Sequence, residues 1–144
     1  MQEHNKTNIM KRLLIIILLS VSLGLIAYYN WNRKTTSLQN ANPEYSIASS
    51  QLFLTFEQDE VAANKQFLNK VLEVKGKVKE VHKESNGDYV ITLEGSELFG
   101  VICRMESGYK IDDPALTGKN LALKGLCTGM LMDVVMVQCV TSEK

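Results

Sequence analysis

The sequence predicts an all-β domain, a closed barrel of five strands with a helix packed before the first, carried behind an N-terminal transmembrane helix. Three observations predict it. An uncharged apolar run extends from Leu13 to Tyr29, the apolar period changes to two after Lys70, and one longer polar connection splits the strand-like segments into three and two. With 144 residues, the chain has room for one core once a non-globular N-terminus is set aside.

As a helix, the apolar run reaches ~25 Å at about 1.5 Å per residue, close to the hydrocarbon thickness of a bilayer. Lys6, Lys11 and Arg12 precede it, Tyr28, Tyr29 and Trp31 occupy the interfacial position, and Arg33 and Lys34 follow. A cleaved signal peptide fits less well, because the small residues Ser20, Ser22 and Gly24 are followed by more apolar sequence and Leu25 spoils a cut after Ala27. No cysteine follows the run to take a lipid. A buried core helix would show a polar stripe, and this run has none. The surplus of basic residues before the span places the N-terminus in the cytoplasm and the domain outside it. The expected division is a cytoplasmic tail over residues 1–12, an anchor over 13–31, a linker over 32–45 and the domain over 46–144, in a single-pass protein of the inner (cytoplasmic) membrane.

The linker is polar, lacks periodicity and contains Pro43. From Ser46 to Asn69, Leu52, Phe53, Phe56, Val61, Ala62 and Phe67 recur at near-helical spacing, and Ser49 or Ser50 offers a cap. The acidic group Glu57, Asp59 and Glu60 falls mid-segment and reads as a solvated face or a break between two helical pieces.

From Lys70, Leu72, Val74, Gly76 and Val78 alternate with Glu73, Lys75, Lys77 and Lys79, the pattern of a strand with one apolar and one charged face. The register slips by one near Val81, as a bulge would cause. Ser85-Asn86-Gly87-Asp88 is the strongest hairpin signal, because Asn-Gly accepts the positive φ angles of tight turns. Strands follow at Tyr89 to Leu93 and Leu98 to Met105. After the polar connection from Glu106 to Gly118, two more run from Asn120 to Cys127 and from Asp133 to Thr141. A long, bent first strand able to pair with both the second and the fourth suits an OB barrel, with Gly76 at the bend and Gly100 and Gly125 easing curvature.

The domain resembles the tRNA_anti-like family of bacterial OB-fold domains. The resemblance rests on Phe56-Glu57-Gln58-Asp59-Glu60-Val61-Ala62-Ala63-Asn64 in the leading helix and on Leu72-Glu73-Val74-Lys75-Gly76-Lys77-Val78 in the first strand. Lys124-Gly125-Leu126-Cys127-Thr128-Gly129, leading to Asp133-Val134-Val135-Met136-Val137-Gln138-Cys139, completes it. It spans about Ser46 to Thr141. These motifs are structural, so the resemblance implies the fold and not tRNA binding.

Cys103, Cys127 and Cys139 carry the most evident latent chemistry. Each shares parity with apolar neighbours: Cys103 with Phe99, Val101 and Met105, Cys127 with Leu121 and Leu123, Cys139 with Val135 and Val137. All three are expected in the core. If the last two strands form a hairpin, Cys127 and Cys139 fall at matching positions, which admits a disulfide in an oxidising compartment, beside the alternative of plain core packing. A metal site is disfavoured, since no Cys-x-x-Cys or His pair exists and only His82 remains in the domain as a further ligand. No cofactor is expected.

Catalytic patterns are absent: no phosphate-binding glycine loop, no nucleophile with its base, and no carboxylates at ligand spacing. His4 and His82 read as exposed polar residues, and Asp112-Asp113-Pro114 as turn chemistry. The protein is therefore expected to be a non-catalytic binding module facing the cell envelope, with the membrane and an unknown protein or small ligand as partners. The alternative is a single-stranded nucleic-acid binder, which needs a basic groove with aromatics for base stacking. The face where an OB fold holds such a strand would offer Val90, Thr92, Ile102 and Arg104, none of them aromatic, and the formal net charge is zero. Lys75, Lys77 and Lys79 form a basic row beside Glu73, Glu80 and Glu84, so Lys75, Lys77, Lys79 and Arg104 are the candidate ligand-face residues. A structural envelope component without a discrete ligand is the third reading.

Overall fold

The computed structural model describes residues 15–28, 37–111 and 115–142. The expectations placed on Lys6, Lys11, Arg12, Tyr29, Trp31, Arg33, Lys34 and Asp112-Asp113-Pro114 fall outside the described residues. The chain divides into two compact units, residues 1–35 and 36–144.

In the first unit, residues 15–28 form helix α1. All its described side chains are exposed, from Ile15 through Leu19 and Leu25 to Tyr28, and no stripe of the helix is covered. Among the described residues no helix is long and apolar enough to cross a membrane. The expected span from 13 to 31 runs past α1 at both ends, onto residues that are not described.

The second unit is mostly β. It contains β1 (Tyr45–Ala48), α2 (Ser49–Gln58), α3 (Glu60–Phe67), β2 (Val71–Lys83), β3 (Tyr89–Glu94), β4 (Gly100–Met105), β5 (Asn120–Met130) and β6 (Val134–Thr141). Strands β2 to β6 close a five-stranded barrel. The first half of β2 pairs with β5, its second half with β3, and parallel β4–β6 and antiparallel β5–β6 ladders complete the ring. Each change of partner along β2 is possible because the strand is long and bent, as the sequence predicts. The bulge lies between Val78 and Glu80, slightly earlier than the slip expected near Val81. The Asn86-Gly87 hairpin forms with Gly87 at φ +92, Asp88 N–H donating to Asn86 Oδ1 and Glu84 N–H to the Asp88 carbonyl.

Two local features differ from the sequence reading. Tyr45–Ala48 is an added strand, parallel to residues 72–75 of β2 on the edge that β3 leaves free, and not the start of the helix. The stretch 37–44, expected as tether, lies on the barrel. Ser37 Oγ donates to Glu106 Oε2 (2.7 Å), the nearly buried Lys124 donates its ammonium to the Gln39 carbonyl (2.7 Å), and Glu44 N–H bonds the Val71 carbonyl (2.8 Å).

The leading helical segment breaks at Asp59, one of the two readings of its acidic centre. Asp59 ends α2 by donating its N–H to the Thr55 carbonyl, and starts α3 by accepting Ala62 N–H at Oδ1 (2.9 Å). Leu52, Phe53 and Phe56 from α2 and Ala63 and Phe67 from α3 then plug one end of the barrel. Phe53 stacks on Phe99, Phe56 meets Phe67, and Tyr45 of β1 packs edge-on against Phe67. Burying each phenylalanine is worth about 1.5–3 kcal/mol. The core below them is Leu72, Val74, Val78, Ile91, Leu93, Val101, Leu123, Val134 and Met136 with the three cysteines.

Candidate binding groove

A cleft opens where β1 hands over to α2. Because β1 stops pairing with β2 at Lys75 and β3 begins at Val78, the edge of β2 is uncovered at Gly76 and Lys77. A cleft of about 610 Å³ fills this gap, lined by Ala48, Ser49, Ser50, Lys75, Gly76, Lys77, Lys79 and residues 94–97. A second cleft of about 350 Å³ is lined by Lys75, Gly76, Asn120, Leu121 and Ala122, so the two meet over Gly76. Together they form a groove running across β2.

Gly76 is required by close approach and not by curvature alone: a Cβ there would run into the Ser49 hydroxyl. Ser49 is buried and donates to the Glu94 carbonyl at the end of β3, which fixes the start of α2 against the groove floor. The residue before the helix is Ala48, which supplies no side-chain cap, and the first turn of α2 carries no acidic residue. The start of α2, at the groove wall, thus has no side-chain cap.

The lysine row is brought to this groove, but not as free cations. Lys75 pairs with Glu73 (2.9 Å), Lys77 with Glu94 (3.3 Å), and Lys79 donates to the carbonyls of Glu97 (3.2 Å) and Leu98 (2.8 Å). Glu73 is a strongly perturbed carboxylate. Hydrogen bonds from Ser142, Lys75 and Ser46 hold its pKa at about 2, below the ordinary 4.5.

Arg104 is elsewhere. It sits on the outer face of β4 opposite Val90 and pairs with Glu84 (3.4 Å), while Thr92 stands opposite Ile102, which in turn faces Val135 of β6. The four residues expected on the ligand face of an OB fold do form one patch. It is a half-buried aliphatic surface with one paired cation, separate from the lysine groove. Of the expected membrane-interface aromatics, Tyr28 is exposed at the end of α1, and Tyr29 and Trp31 are not among the described residues.

All three cysteines are free and buried, as their expected core position requires. The strand register does not set Cys127 opposite Cys139. In the β5–β6 ladder Cys127 faces Met136, while Leu126 faces Val137 and Lys124 faces Val140, which leaves Cys139 beside Gly125. The neighbouring Cys103 thiol and burial push the Cys139 thiol well above its ordinary pKa; burial raises Cys127, with the Gly129 N–H opposing. Among the described residues no cluster of three or more His, Cys, Asp or Glu side chains is arranged to hold a metal.

The sequence reading missed Ser49, Ser50, Gly95 and Ser96 as groove residues. Only one signal could have found them: a glycine inside a strongly patterned strand marks a place where something approaches the backbone.

Comparison with known proteins agrees with the fold. The crystal structure of a "putative nucleic acid-binding lipoprotein" from Klebsiella pneumoniae subsp. pneumoniae MGH 78578 superposes with a TM-score of 0.56 at 17% identity, over 67% of this chain and 91% of that one. At that identity the likeness concerns the fold. No curated protein matches the chain. The sequence model of tRNA_anti-like domains matches residues 1–141, which takes in the apolar N-terminal segment as well as the barrel, and the chain accordingly belongs to the tRNA_anti-like family.

Proposed function

We propose that the protein is a non-catalytic binding module held at the inner membrane by its apolar N-terminal segment, with the OB barrel on the envelope side and the groove over Gly76 as its ligand site. The observation that carries the binding role is the gap in pairing along β2, which leaves a groove edged by lysines and by an uncapped helix start. Anchoring is supported by the absence of any charged residue in α1 and by a family match that begins at residue 1. A groove of this shape suits an extended peptide or polymer lying across β2, with its backbone polar groups meeting the open edge.

A second reading, single-stranded nucleic acid, is supported by the description of the Klebsiella protein and by the lysine row. Two features weigh against it. The groove contains no aromatic side chain for base stacking, and Glu73, Glu94 and Glu97 share its walls with the lysines. Titrating the full-length protein in detergent with fluorescent single-stranded oligonucleotides separates the readings. The favoured one predicts no saturable binding at low salt. Binding that weakens steeply with salt, and that is lost in a Lys75→Gln, Lys77→Gln double variant, would establish the second.

A further inference from the structure

We infer that the end of the barrel opposite the helical plug is a second binding site, and that it takes the end of a single hydrocarbon chain from a membrane amphiphile of the fatty-acid class. A cleft of about 170 Å³ lies there, lined by Ile91 of β3, Leu121 of β5 and Thr141 of β6, and by Tyr109, Ile111 and Leu116 of the β4–β5 connection. Helices α2 and α3 close the other end, where Phe53 stacks on Phe99 just ahead of β4. No residue of either helix lines this cleft. Ile91 belongs to the buried core, while Tyr109, Ile111, Leu116 and Leu121 are half-buried against it. The apolar surface of the core thus continues outward into the cleft.

Lining, size and position select the occupant. The lining is mainly aliphatic, and its two hydroxyls, Tyr109 Oη and Thr141 Oγ1, already bond each other (2.9 Å), so it offers little to water or to a polar ligand. An apolar cavity of about 150 Å³ stays dry and holds one benzene ring, whereas drug-sized ligands occupy about 300 Å³ or more. A nucleoside or a dipeptide is therefore too large, and a ring or a chain end fits. Position decides for the chain. Tyr109 N–H donates to the Glu106 carbonyl (3.0 Å), and the Glu106 carboxylate accepts from Ser37 Oγ (2.7 Å), so the polypeptide arriving from the apolar N-terminal segment meets the barrel beside this cleft. Lys110 is the charged member of the lining and is exposed, and the polar end of the amphiphile leaves the cleft beside it.

The choice of a membrane amphiphile rests on the anchoring proposed above, whereas the cleft does not, and the test reads the two separately. Full-length protein in phosphatidylcholine nanodiscs is irradiated with hexadecanoic acid carrying a diazirine near its methyl end, digested with trypsin and mapped. Peptides 84–104, 105–110 and 111–119 carry Ile91, Tyr109 and the pair Ile111 and Leu116; Leu121 also borders the groove over Gly76 and is not counted. The expected result is saturable labelling of these peptides that unlabelled hexadecanoate competes away. It should fall by about tenfold or more in Leu116→Trp, which fills the cleft and denies the chain its apolar contacts, while labelling of the N-terminal segment is unchanged. Ile111→Ser, which makes the wall polar without filling it, gives the same loss if the tryptophan variant fails to fold. Labelling confined to the N-terminal segment or to the groove peptides overturns the inference, as does labelling that phenol displaces and hexadecanoate does not. Failure of the protein to enter the discs contradicts the anchoring, and the same probe then reads the cleft in the protein outside them.

Discussion

Glu73 of β2 accepts a hydrogen bond from the hydroxyl of Ser142, just beyond β6, and so ties the end of the last strand to the first strand of the barrel. Ser46 of β1 donates to the other carboxylate oxygen (2.8 Å), and Lys75 adds an ion pair. One side chain thus joins three strands, and its charged form is the one they select.

That selection predicts the acid stability of the domain. The folded-state pKa of Glu73, about 2, lies below its ordinary 4.5, so between those values the unfolded chain binds more protons. Its contribution is complete above about pH 4.5 and is lost as pH falls toward 2. Glu73→Gln should cost about 1–3 kcal/mol at neutral pH, and its stability should fall less between pH 5 and pH 2. Denaturant melts across that range provide the measurement.

Gly125 should not tolerate a side chain while Cys139 is present. Gly125→Ala would press a methyl group on the Cys139 sulfur and should destabilise by about 1–3 kcal/mol. Cys139→Ala makes room for it. The double variant should recover at least half of the summed losses in a double-mutant cycle, and strict additivity would show that the two positions do not share the space.

The same neighbourhood shows how much of the fold the sequence discloses. The two-residue period of β2, the Asn86-Gly87 turn and the interior positions of Cys103 and Cys127 follow from local pattern, because each is a property of a few consecutive residues. Cys139 reached the core for a different reason than parity suggests. Val135 and Val137, its supposed companions, are half-buried on the outer face, and Val134 and Met136 are the interior ones. The left-handed backbone at Gln138 inserts an extra residue and turns Cys139 inward. Nothing in Val137-Gln138-Cys139 announces that. Strand β1 was hidden likewise, since four residues running into a helix become a strand only through parallel pairing with residues 72–75, far along the chain. The groove depends on where β1 stops and on Ser49 meeting Gly76, so its lysines could be named from sequence and its shape could not.

Gln138 itself offers a gain. A glutamine at φ +55 carries strain that glycine lacks, so Gln138→Gly should be neutral or stabilising by up to about 1 kcal/mol. A loss beyond that would mean its side chain contributes more than its backbone costs. Thermal melts under reducing conditions decide.

Lys124 holds the segment before β1 on the barrel through the Gln39 carbonyl. Lys124→Met removes that donor and should cost about 1–2 kcal/mol. Limited proteolysis should then cut within residues 37–44 before it cuts the barrel, in contrast to the wild type. An unchanged cleavage order would show that the segment is held without this bond.

The central claim is a barrel tethered on the envelope side of the inner membrane, and protease accessibility tests it most directly. With the outer barrier opened and the inner membrane intact, added protease should remove the C-terminal domain while a cytoplasmic marker survives. If the domain is digested only after the inner membrane is lysed, or is recovered in the soluble fraction at its full unprocessed mass, the account is wrong.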